Sequence, residues 1–181
     1  SQARKKYIRE HKDTDNGYDE IVVLGKLEEA LSEMKINGLR LLVKLHPEED
    51  VEETKGAFRG NLNGVIFNKD YRDIKRLSFI SNLVTGMFST CLVEAVYLDK
   101  DVVSIQPNLI GEDVLSTNRM GLSVPVYREE DLKPTLEKVI HDYSYRQELR
   151  QRRSKILLDG RSTQRVVSSL YKLLNVPSYT T

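Results

Sequence analysis

Residues 84 to 108, VTGMFSTCLVEAVYLDKDVVSIQPN, constrain this chain more than any other stretch. They read as the end of a short apolar strand, a Gly turn, a helix and a second, β-branched strand, with the polar residues gathered at the turn. Val84 closes the first strand, Gly86 permits a tight or positive-φ turn, and Ser89 and Thr90 supply hydroxyls where the helix begins. The helix runs through Leu92, Val93, Ala95, Val96 and Leu98 to about Asp99, and Val102, Val103 and Ile105 follow as a strand. Backbone N–H groups at such a helix start have no internal partner, and the helix dipole favours an anion there by roughly 0.3–1 kcal/mol. This is the pattern of a phosphate cradle. The same residues also serve as a plain helix cap in many α/β proteins, so other groups must join the turn before it becomes a site.

The rest of the chain repeats the rhythm. Residues 1 to 17 are polar and basic without a sustained period, and are expected to form a flexible or extended segment ahead of a single domain over 18 to 181. From Asp19, apolar Ile21, Leu24, Leu27, Leu31 and Met34 recur at helical spacing, with Asn37-Gly38 as a left-handed stop. Residues 39 to 45 suit a strand covered on both faces, and Val65 to Phe67 a second. Ile74, Leu77 and Ile80 mark another helix before a short strand at 82 to 84. After a loop from Pro107 to about Asn118, Val124 to Tyr127 gives one more strand. The remainder carries three helical stripes: Leu132, Leu136, Val139 and Ile140; Tyr145, Leu149 and Ile156; and Val166, Val167, Leu170 and Leu174. Asp159-Gly160 separates the last two, and Ser162 or Thr163 is placed to cap the final helix.

Helices alternating with short buried strands imply an α/β fold, a doubly wound parallel sheet with helices on both faces and a helical C-terminus. Such a sheet normally opens with a strand, and this chain opens on a helix. Either residues 5 to 9 (KKYIR) supply a poor strand, or the chain is a fragment cut after its first strand.

Charge narrows the partners. Lys plus Arg number 28 against 27 acids, so the net charge of +1 gives no global pull toward nucleic acid, and any anion site must be local. The basic run at 146 to 155 is read as a solvated helix face rather than a nucleic-acid surface, because Glu148 interrupts it and no aromatic platform accompanies it. No apolar stretch approaches the ~20 residues of a membrane span, and residues 1 to 12 lack the apolar core of a signal peptide. A cytoplasmic protein without a membrane span is expected, with peripheral membrane association left open. One cysteine, Cys91, excludes an internal disulfide and suits a small core residue. His11, His46 and His141 are too far apart in sequence to suggest a metal set, so none is expected.

Ligands of open parallel sheets bind outside the carboxyl ends of the strands. Three groups fall there. LLVKLHP places His46 just past a strand end, where it can donate to a phosphate or sugar oxygen or simply bond to backbone, and Lys44 precedes it on the same face. The second group is the Gly86, Ser89, Thr90 turn. The third is Glu94, about one turn into the helix, positioned to accept from ribose hydroxyls or to face solvent.

LLVKLHP followed some forty residues later by LVTGMFSTCLVEAVYLDKDVVSIQP resembles the nucleotide-binding, C-terminal half of two-domain GT-B glycosyltransferases. The likeness is greatest to bacterial surface-polysaccharide enzymes of the sialyltransferase-like and glycerophosphotransferase-like kind. UDP-N-acetylglucosamine 2-epimerases share the half-fold, but usually have an acidic, Gly-rich turn where this chain has TGMFST, which ranks transferase above epimerase. A noncatalytic interaction module keeping the fold is the further alternative. The resemblance covers residues 39 to about 174 and implies a Rossmann-like donor domain. It assigns nucleotide contacts to His46 and Pro47, to Thr85, Gly86, Ser89 and Thr90, and to Glu94 and Ala95. Lys44 and Gln106 are taken with them. Family members often carry Ser-Gln just after their first strand, and this chain begins Ser1-Gln2. The donor is then a CMP-, CDP- or UDP-linked sugar acting as substrate rather than cofactor. His46 would stabilise the departing phosphate. The acceptor and general base would come from a missing N-terminal acceptor-binding domain, so the chain alone is expected to bind donor without turning it over.

Overall fold

The computed structural model describes residues 18–56, 58–60, 62, 64–156 and 159–174. The extended segment expected over 1 to 17, the weak strand at 5 to 9, Ser1-Gln2 and His11 lie outside the described residues.

Helix α1 spans Glu20–Glu33, and the Asp19 carboxylate caps it by accepting the Val22 amide at 2.8 Å. Its buried Val23, Leu27, Ala30 and Leu31 form the inward face. The helix stops before the expected Asn37-Gly38 because Lys35 turns left-handed at φ 50 and its amide closes on Ser32; Gly38, at φ 72, then makes a second turn into the strand. Strand β1 is Leu41–Lys44 and β2 is Val65–Asn68. Between them lies α2, Val51–Gly56, which the apolar pattern does not announce. Asp50 starts it by accepting the Glu52 and Glu53 amides at 2.8 and 2.9 Å. Then come α3 (Ile74–Ile80), β3 (Leu83–Gly86), α4 (Thr90–Tyr97) and β4 (Asp101–Ile105). A short α5, Ser116–Arg119, lies at the end of the segment expected as loop, and β5 (Val124–Val126) follows. The chain closes with α6 (Leu132–His141), α7 (Tyr143–Arg153) and α8 (Ser162–Leu173). Arg161 rather than Ser162 or Thr163 occupies the N-cap of α8, and Asp159 takes the Arg161 amide instead.

Every strand pairing is parallel, and helices cover both faces, which is a Rossmann-like α/β arrangement. The strands divide into two hydrogen-bonded sheets, β1-β2 and β3-β4-β5. On one face, α1 and α6 bury Val103, Ile105 and Val126, with Leu41 and Leu83 at the margin of the same cluster. On the other, α4 packs Leu92, Ala95 and Val96 against Val102, with Val84, Leu115 and Leu122 beside them. Strand β4 is buried along its whole length.

The amino end of β4 is fastened by charge. Arg153, 3% exposed at the end of α7, gives Nη2 to Asp101 at 2.9 Å and Nε to Asp99 at 2.8 Å. One arginine of the basic run is therefore an internal strut, while Arg150 and Arg152 remain on the solvated face.

Candidate functional site at the carboxyl ends of the strands

Strand β3 ends at Gly86, and buried Met87 turns the chain toward α4. Gly86 permits a tight or positive-φ turn but does not take a positive φ. It ends the strand in ordinary backbone, and a Cβ there would meet Leu92 Cδ2 at 3.5 Å, an ordinary van der Waals contact, so neither backbone freedom nor space demands glycine at this position. Ser89 is the N-cap at φ −145. Its hydroxyl accepts the Cys91 amide at 3.2 Å and its carbonyl the Leu92 amide at 3.0 Å. Among the described residues the amides of Ser89 and Thr90 have no partner, and both residues are exposed. These donors and the dipole of α4 are what an anion needs. Glu94 is half-buried on the same helix, and its carboxylate makes no hydrogen bond or ion pair among the described residues; Ala95 is fully buried and packs rather than contacts solvent. Among the described residues the buried Thr85 hydroxyl has no partner.

At the end of β1, His46 is exposed, and so is Pro47. The His46 amide donates to Glu49 at 2.7 Å, and its Nδ1 accepts the Glu48 amide at 3.3 Å. That contact fixes the ring as an Nδ1 acceptor and leaves Nε2 as the donor available to a ligand. The Lys44 ammonium instead bonds to the carbonyls of Leu45 at 2.5 Å and Lys69 at 3.1 Å, and Lys69 in turn reaches the Glu49 carbonyl at 2.7 Å. The structure thus assembles two groups: Lys44, His46 and Pro47 on the two-stranded sheet, and Thr85, Gly86, Ser89, Thr90 and Glu94 on the three-stranded one. No hydrogen bond joins them directly among the described residues.

Gln106 has a different setting. It is 2% exposed, and its amide donates to Ser104 at 3.3 Å and to both oxygens of Asp113 at 3.2 and 3.3 Å. Asp113 also accepts from Asn118 at 2.6 Å, Tyr127 at 2.7 Å and the Leu115 amide at 2.8 Å. Asn118 further donates to Ser104 at 2.6 Å. Burial pushes the Asp113 carboxyl up, but the bonds from Asn118, Tyr127, Leu115 and Gln106 outweigh it and hold the group below the ordinary carboxylate range. The Tyr127 phenol is pushed up to about 12, by burial first and then by its bond to that carboxylate. This network pins the segment after β4 to the ends of β4 and β5, so it shapes the rim next to the Ser89 turn. Sequence reasoning took Gln106 as a ligand contact and did not see its partners. Asp113 in GEDVLSTN, an acid directly ahead of apolar Val114 and Leu115, is the one visible signal.

Set against known proteins, the chain matches no family model and no curated sequence. The functional reading therefore rests on the residues and the rim they occupy.

Proposed function

We propose that this chain is the donor-binding half of a glycosyltransferase of surface-polysaccharide synthesis, holding a CMP-, CDP- or UDP-linked sugar. One observation carries the proposal: an N-capped helix at the carboxyl end of a parallel strand presents the amides of Ser89 and Thr90, unpartnered among the described residues. The phosphates sit on those amides and the hydroxyls beside them. Glu94, uncommitted and one turn along, accepts from the ribose. His46 donates from Nε2 to the leaving phosphate, where charge grows as the glycosidic bond breaks, and loss of one such donor typically costs ~10²–10³ in rate. The acceptor and its base come from a separate acceptor-binding domain.

Thermal unfolding of the chain with CMP, CDP or UDP tests this. At about 100-fold excess over Kd, a bound nucleotide adds ~2.7 kcal/mol of stability and raises Tm. The His46→Ala variant should lose on the order of 1.5–3 kcal/mol of nucleotide affinity. No Tm shift with any of the three nucleotides removes the donor-binding assignment; a shift that His46→Ala leaves intact returns His46 to a backbone-bonding role.

A further inference from the structure

Helix α8 carries an apolar face that does not enter the core. Val166, Leu170 and Leu173 recur at steps of four and three, so they share one side of the helix, and Val167 and Leu174 widen it. All five are exposed, from 43% at Val167 to 79% at Leu173, and no residue of α8 is buried. Helices α1, α4, α6 and α7 turn their apolar stripes inward. A contiguous apolar stripe left outside marks an interaction surface.

Charge decides what that surface meets. Arg165 and Lys172 lie on the opposite side of α8, Arg161 continues their stripe one turn ahead, and the helix holds no acid. Asp159, just before the helix, is already taken by Arg165 at 2.9 Å. From Arg146 to Lys172 eight cations stand against two acids, in a chain of net charge only +1. A second copy packed helix to helix would set these cations against one another in either direction, with no acid on α8 to answer them. An anionic lipid surface answers both sides at once. The apolar side chains enter the acyl boundary while the cations stay among the headgroups. The 12 residues of α8 make about 18 Å of helix, and no described helix is long and apolar enough to cross a membrane, so the geometry is that of a helix lying in the surface.

We infer that α8 is an interfacial helix that docks the protein on an anionic bilayer. The inference is independent of what the rim at the strand ends binds.

Flotation of the 181-residue chain with vesicles tests it, using phosphatidylcholine alone and phosphatidylcholine with about one-third phosphatidylglycerol. Only the anionic vesicles should carry the protein, and less of it as salt rises. Leu170→Gln with Leu173→Gln should lower partitioning on the order of 100-fold. Arg161→Gln, Arg165→Gln and Lys172→Gln together should lower it by a similar factor, at about fivefold per cation. Since all these side chains are exposed, neither set should shift Tm. No flotation with anionic vesicles would overturn the inference. So would flotation that the leucine pair leaves unchanged, which would reduce α8 to a plain cationic patch. A clear loss of Tm in the leucine pair would overturn it by showing that the chain itself covers the face. A concentration-dependent dimer that the leucine pair dissolves would overturn it in favour of a second copy.

Discussion

The two sheets of this molecule are held by different means. In β3-β4-β5 the middle strand is buried from Asp101 to Ile105, an internal arginine ties down its amino end, and the Asp113 network ties down its carboxyl end. In β1-β2 no strand residue is fully buried, Ile66 is 50% exposed, and the links are made mostly by exposed or half-buried groups: Lys55 to Glu52 and His46 to Glu49 at short range, Lys44 to the Lys69 carbonyl and Lys69 to the Glu49 carbonyl at longer range, and the Arg59 amide to Glu28 of α1. The difference teaches where precision and compliance lie. The Ser89 turn, which would need fixed geometry to hold the proposed phosphate, is built on the firm sheet. His46 is built on the less buried one, so on the proposed reading it is the part of the site left to adjust.

The largest test of that contrast is Arg153→Ala. It leaves Asp101, 6% exposed, without its partner, and removing one member of a buried pair costs about 3–5 kcal/mol. Lys55→Ala, which breaks an exposed pair in the other half, should cost under about 1 kcal/mol. Urea unfolding of both variants makes the comparison. Equal losses would mean that the halves are not held differently after all.

Asp113→Asn should cost less, about 1.5–3 kcal/mol at neutral pH, the usual worth of hydrogen bonds to a charged group. Its pH dependence sharpens the assignment. The folded-state value lies below the ordinary 3.8, so the stabilisation is complete above that value and is lost as pH falls through the depressed one. Urea midpoints of the native chain and of Asp113→Asn should therefore converge in acid. A gap of constant size from pH 7 to pH 3 would show that the carboxylate is not what the network holds.

How much of this was legible beforehand follows from the range of each signal. The stripes of α1, α6 and α7 and the β-branched run of β4 are local periodicities, and the fold class came directly from them. Helix α2 is six residues long, too short to show a stripe, so only Asp50 and its acidic followers marked it. Ser89 and Thr90 were visible because capping is local. The partners of Gln106 were not, because Asp113, Asn118 and Tyr127 meet only when two strand ends come together. Arg153 was hidden among chemically identical neighbours, although it stands four residues after Leu149 and so continues the Tyr145, Leu149 stripe onto the buried face. The division into two sheets leaves no local trace at all, since β1 and β3 each look like an interior strand.

The smallest expected effect is at the outer margin of the weaker half. Among the described residues β2 is the last strand of its sheet and Ile66 lies open, so a charge placed there stays in water while its aliphatic stem covers the strand. Ile66→Lys should therefore change stability by no more than about 0.5 kcal/mol. The same substitution at Val103, which has no exposure and sits at the middle of the firm sheet, should abolish folding. If Ile66→Lys instead costs several kcal/mol by urea unfolding, the Ile66 face is covered in solution, and the looseness assigned to β1-β2 would belong to a surface that another body normally closes.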